Sequence, residues 1–195
     1  VASSTISYDA TTSLNVNLGV FDGQNTLTKA FQIAVNDLNR PPTDIGLTSN
    51  TITENALPST VIGTLSSVDT DNTDITTFTL ATSGDAQDDD NGSFTIIGTS
   101  LILNSSPDYE TKDSYNIYIN VNDGVYDFAK AFTVSVTNIN EAPTDIGLTS
   151  SIISENFSAT SVVGVLSAVD SDTSNTHTFT LANSSDSRDD DNGSF

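Results

Sequence analysis

Carboxylate and amide side chains recur at five separated places in this chain. They are Glu54; the Asp69-Thr70-Asp71 segment; Asp108-Tyr109-Glu110; Asp123, ahead of Gly124; and Asn138-Ile139-Asn140-Glu141. The Asp-x-Asp returns 101 residues later as Asp170 and Asp172, while Asp9, Asp37 and Asn39 stand 101 residues before Glu110, Asn138 and Asn140. Oxygen-only ligands of this kind suit Ca²⁺, which takes about six to eight of them. Zinc would call for His or Cys, and the chain has one His and no Cys. Mg²⁺ demands tighter geometry and keeps its waters. The chemistry expected of these residues is therefore the binding of calcium ions.

The charge balance agrees. Five Lys and Arg face 26 Asp and Glu, a net charge of −21. Such a surface repels phosphate backbones and anionic membranes, so nucleic acid is excluded as a partner and cations are favoured. With no Cys, a small β-domain has no disulfide staple, and a bound metal is the available substitute. No apolar run approaches the ~18 residues of a membrane span, so no direct membrane insertion is expected. Both ends read as cut within folded sequence, leaving the natural length open.

These acids sit within a long repeat. Residues 42–94 and 143–195 align without a gap, and 32 of 53 positions are identical, including PTDIGLTS, FTLA and DDDNGSF. Residues 8–41 align with 109–142 at the same offset, with 11 of 34 positions identical. A period near 100 residues is the size of a domain. The expected organisation is the C-terminal part of a repeat in 1–40, a complete repeat in 41–140 and the N-terminal part of another in 141–195.

Short alternating runs place strands near 43–53, 60–68, 75–82, 93–97, 100–104, 114–122 and 128–138. Tyr115, Ile117, Ile119 and Val121 share one face of the sixth, and Phe132, Val134 and Val136 one face of the seventh. Leu14, Val16, Leu18 and Val20 repeat the pattern upstream. Turn signals at Asn91-Gly92, Gly98-Thr99 and Asn122-Asp123-Gly124 separate the runs. Seven strands per repeat of about 101 residues predict an all-β, Greek-key, immunoglobulin-like β-sandwich in tandem.

If successive strands run up and down, the acids fall at two poles. Glu54, Asp108, Glu110, Asn138, Asn140 and Glu141 gather at one end of the complete repeat, and Asp69, Asp71 and Asp123 at the other. In a head-to-tail string the first group meets Asp170 and Asp172, while Asp9, Asp37 and Asn39 meet Asp69, Asp71 and Asp123. All fourteen are candidate metal ligands, shared between neighbouring repeats.

These residues resemble the cadherin superfamily. Its calcium signatures are a Glu near the end of the first strand, an Asp-x-Asp after the second, an Asp-Arg-Glu type triplet, an Asp-Gly after the sixth, and an Asp-x-Asn-Asp-Asn-x-Pro linker. Glu54, Asp69 with Asp71, Asp108-Tyr109-Glu110 and Asp123-Gly124 match the first four, with Tyr109 in the middle of the triplet. Asn138 to Pro143 is similar to the linker but one residue shorter, a form that looks like the cadherin-like repeats of large bacterial surface proteins. The resemblance implies a cadherin-like sandwich with calcium at the joints. At the first joint Arg40 stands where Glu141 stands at the second, and Ser7 where Asp108 stands, so fewer or weaker ions are expected there.

Other features read as ordinary. Asp88-Asp89-Asp90-Asn91-Gly92 is expected to be a solvated turn, because Gln87 breaks an EF-hand loop and no flanking helix or closing Glu is present. His177 is expected at the surface, as its counterpart is Thr76. One His and no Cys leave little nucleophilic machinery, and carboxylate pairs shared between domains lack an apolar pocket, so no enzyme is expected. The functional expectation is a calcium-rigidified segment of an extracellular or cell-surface protein. Its role is adhesion to the same protein on another cell or to another surface protein; the alternatives are a passive spacer in a large adhesin and a polysaccharide-binding module. The outer half-repeats leave open strand edges that invite pairing between chains.

Overall fold

The computed structural model describes residues 4–71, 75–183 and 192–194. The expected continuation of the last repeat through 184–191, and the first three residues, lie outside the described part.

Twelve strands are present among the described residues. β1 (Ser13–Phe21) and β2 (Thr26–Ala34) form a hairpin. β3 (Asp44–Leu47), β4 (Thr51–Thr53), β5 (Val61–Val68), β6 (Thr77–Leu80), β7 (Phe94–Ile97), β8 (Ser100–Leu103), β9 (Ser114–Asn122) and β10 (Asp127–Thr137) build the central sandwich. β11 (Asp145–Leu148) and β12 (Leu166–Val169) form a final antiparallel pair. The sandwich has two four-stranded sheets, ordered β4-β10-β9-β6 and β3-β5-β8-β7. It is an all-β, immunoglobulin-like architecture.

The strand expected over 43–53 is two strands. β3 pairs antiparallel with β5, whereas β4 pairs parallel with β10 in the other sheet. The chain crosses between sheets at Thr48–Asn50, where Gly63 allows the approach. A Cβ on Gly63 would lie 2.6 Å from the Ser49 carbonyl oxygen, too close for any side chain. Gly164 faces Ser150 in the same way.

The alternation read in the sequence is the inward face. Ile117, Ile119 and Val121 of β9 and Val134 of β10 are fully buried, packing with Ile45, Leu101 and Leu103. Among the described residues, all thirteen buried hydrophobic ones lie between Ile45 and Val136. Each such side chain contributes about 1.5–3 kcal/mol by leaving water, so one core holds the central sandwich. The flanking pairs differ: Leu18, Val20, Phe31 and Ile33 on the first hairpin, and Ile146 and Leu166 on the last pair, are exposed.

Register carries the polar residues to the ends. The parallel pair Thr53↔Thr137 brings β4 and β10 out at the same end, so Glu54 emerges beside Asn138. At the other end Asp44 pairs with Val68 and Thr77 with Asn122, which sets Asp69–Asp71 and Asp123 around the entry of the chain at 39–43.

Candidate metal joints

At the second joint, Glu54 is the anchor. It is only 2% exposed, and its carboxylate accepts the backbone N–H groups of Tyr109 (3.1 Å) and Ile139. It thereby ties the 108–110 turn to the linker. Asn55 turns the chain with a φ of 60°, a left-handed conformation that Asn tolerates better than most residues. Its amide then donates to Glu141 Oε1 at 2.8 Å. The Glu-Asn pair recurs as Glu155-Asn156, and Asn55 is a contact residue that is not among the candidate ligands read from the sequence.

Glu54, Glu110 and Glu141 each present an oxygen within 4.8 Å of the others. The Glu141 N–H donates to Asp172 Oδ2 (2.7 Å), and the Asn138 amide donates to both Glu110 (2.7 Å) and Asp172 (3.1 Å). Desolvation, reinforced by the nearby charges of Glu54, Glu141 and Asp172, pushes the Glu110 carboxyl above its ordinary value. Glu141 Oε2 is buried with no hydrogen-bond partner. An orphaned carboxylate oxygen among like charges is costly unless a cation sits against it. The donor set is all oxygen, so the residues fit a hard cation such as Ca²⁺.

The remaining candidates fall around this group. Asn140 accepts a hydrogen bond from the Asn175 amide across the joint at 2.6 Å. Asp170 Oδ1 caps the Asp172 N–H at 3.0 Å, and its Oδ2 meets His177 Nε2 at 2.7 Å, which lowers the Asp170 pKa. His177 is thus half-buried and engaged, where the sequence reading had an ordinary surface residue. Its partner was hidden because the equivalent Thr76 bonds Ser67 instead. Asp108 is exposed, and its carboxylate turns back on Thr111, accepting from both N–H and Oγ1. It stands outside the Glu54, Glu110 and Glu141 group.

At the first joint, Asp9, Asp37 and Asp71 offer oxygens within 4.8 Å of one another. Asn39 donates to Asp123 Oδ2 at 3.1 Å. Asp123 Oδ1 accepts from Val125 and Tyr126, both at 2.7 Å, in a turn that needs Gly124 at a φ of 101°. Asp69 Oδ1 caps the Asp71 N–H, while Asp69 Oδ2 is buried without a partner. Arg40 reaches into this joint and bonds both Asp9 and Asp71.

The Asp88–Gly92 turn is stitched to the sandwich. Asn91 bridges the Ala81 carbonyl and the Tyr118 N–H, and Asp90 pairs with Lys112 and accepts the Asn116 N–H. The run is structural rather than merely solvated, and Asn192 repeats the contact to Ala182.

No protein-family model matches the chain, and no curated protein matches it. Solved structures do. The protocadherin gamma B4 extracellular domain aligns with TM-score 0.65 at 17% identity, over 86% of this chain and 28% of its own. Protocadherin gamma B2 extracellular cadherin domains 1–5 align with TM-score 0.63 at 16% identity, over 85% and 33%. The fold is cadherin-like. Human protocadherin-24 EC1-2 aligns with TM-score 0.55 at 20% identity, covering 70% of each chain. The chain thus spans about a third or less of the two gamma protocadherins, and no helix among its described residues is long and apolar enough to cross a membrane.

Proposed function

We propose that this chain is a run of cadherin-like repeats, 1–40, 41–140 and 141–195, from an extracellular or cell-surface protein, and that calcium stiffens the joints between them. The observation that carries this reading is the second joint, where Glu54, Glu110 and Glu141 converge within 4.8 Å and leave Glu141 Oε2 buried and unpartnered. Glu54, Glu110, Asn138, Asn140, Glu141, Asp170 and Asp172 would hold calcium there, and Asp108 would join by turning from Thr111 toward the ion. Asp69, Asp71, Asp123, Asn39, Asp37 and Asp9 form the corresponding, weaker set at the first joint.

The protein's own residues do the positioning. Glu54 fixes the linker through two backbone N–H groups, and Asp172 fixes it from the next repeat through the Glu141 N–H. When bound, calcium supplies the positive charge that lets these carboxylates stay close. Extracellular modules of this kind bind at about 0.1–1 mM, so the joint follows calcium outside the cell. A stiff string suits adhesion between cells, including adhesion to a second copy, and none of this requires catalysis.

Calorimetric titration with Ca²⁺ and separately with Mg²⁺ tests the reading. Calcium binding in the sub-millimolar to millimolar range with little response to Mg²⁺ is expected; no calcium binding up to several times that range would refute it.

A further inference from the structure

The first joint does not fit a cation at the position equivalent to the Glu141 side chain, because a side chain of this chain already fills it. The backbone arrangement is the same at both joints: the Arg40 N–H donates to Asp71 Oδ2 at 2.6 Å, as the Glu141 N–H donates to Asp172 Oδ2 at 2.7 Å. Only the side chains differ. Arg40 Nη2 lies 2.6 Å from Asp71 Oδ1 and 2.9 Å from Asp9 Oδ2, and Nε lies 3.2 Å from Asp71 Oδ1. The guanidinium therefore bridges a carboxylate of the first repeat and one of the second.

We infer that Arg40 is a resident cation that holds the first joint closed before any metal binds, leaving Asp69, with its unpartnered Oδ2, and Asp123 to the weaker calcium set, so that the two joints of one chain answer differently to calcium. The comparison between joints rests on the calcium reading of the second; the Arg40 lock itself does not.

Chemistry supports the assignment. Asp71 is 5% exposed, and a buried carboxylate is retained only when paired and hydrogen-bonded. Arg40 gives it a forked, charge-assisted contact, the geometry in which Arg outperforms Lys. The neighbouring position changes in the compensating sense. Where the second joint has the neutral Asn138, the first has Asp37, whose carboxylate joins Asp9 and Asp71 within 4.8 Å. Asp37 thus adds one anion beside Arg40, while Ser7 in place of Asp108 removes another.

The test uses the whole chain, whose lack of Cys allows unambiguous spin labelling. Labels at Thr28 and Thr79 report the first joint; labels at Thr79 and Ser161 report the second. The unsubstituted protein should keep a narrow first-joint distance distribution in excess chelator. Arg40→Gln should lose it. Arg40→Glu should lose it in chelator, regain it in millimolar calcium, and bind more calcium ions by calorimetry than the unsubstituted chain. Urea unfolding of the central sandwich checks that each variant folds. A first joint that broadens in chelator without any substitution, or one that stays narrow in Arg40→Gln, overturns the inference. A second joint indifferent to calcium would instead refute the calcium reading and leave Arg40 standing.

Discussion

Glu141 and Asp172 meet across the second joint through a backbone N–H and a buried carboxylate 2.7 Å apart, while the Glu141 side chain leaves Oε2 buried and unpaired. The contact ties the 138–141 segment to the Asp170–Asp172 turn and at the same time concentrates negative charge. The closed joint is geometrically prepared and electrostatically incomplete.

Glu110 should show that tension as two effects of opposite sign. Its pKa is raised by desolvation and then by Glu54, Glu141 and Asp172. Without metal, the closed joint is therefore favoured when Glu110 is protonated, and loses stability as pH rises through the raised value. Glu110→Gln should tighten the metal-free joint at neutral pH, measured by spin-label distances in chelator. The same variant should weaken calcium binding by roughly tenfold or more. Effects of the same sign would contradict the account.

Asp44 and Lys130 give the central sandwich an acid-dependent clasp at the start of β3, with neither residue among the candidate metal ligands. Lys130 Nζ lies 2.7 Å from Asp44 Oδ1, and this bond, with the Ile45 N–H, holds the Asp44 carboxyl below its ordinary value. A depressed folded-state pKa means that the stabilisation is present above the ordinary Asp value and is lost as pH falls through the folded one. Asp44 is half exposed, so the effect is small. Lys130→Met should flatten the acid limb of a stability profile below about pH 4 and change little near neutrality. An unchanged acid limb would count against the clasp.

Ile119 tests the core. It is fully buried in β9, and Ile119→Ala should cost about 2–5 kcal/mol in urea unfolding. Gly63→Ala should also destabilise, by about 1–3 kcal/mol, because its Cβ would meet the Ser49 carbonyl at 2.6 Å. A neutral Gly63→Ala would contradict the account of how the chain passes between the sheets.

The β1–β2 hairpin presents Leu18, Val20, Phe31 and Ile33 to solvent. Exposed apolar strand faces promote association, so sedimentation of this chain should show concentration-dependent oligomers. Leu18→Lys with Phe31→Lys should reduce them. A strict monomer at all concentrations would disprove this reading.

Much of this was legible because period-two alternation and a 101-residue repeat are strong signals. Ile117, Ile119 and Val121 reveal a buried face directly, and strand direction alone sorts Glu54 from Asp69. The break between β3 and β4 was not legible, since it depends on the close approach of Gly63 to Ser49, residues distant in sequence. Asn55, Asn175 and His177 were missed for a related reason. Each acquires its role from a partner brought near by folding: Glu141, Asn140 and Asp170. Arg40 was visible as a lost acid, but its reach to Asp9 and Asp71 required coordinates.

A crystal structure of this chain grown in calcium, with ions identified by anomalous scattering, decides whether the second joint holds metal. Calcium is expected among Glu54, Glu110 and Glu141, with Glu141 Oε2 as a ligand. An ordered second joint with only water among those three carboxylates at millimolar calcium would contradict it.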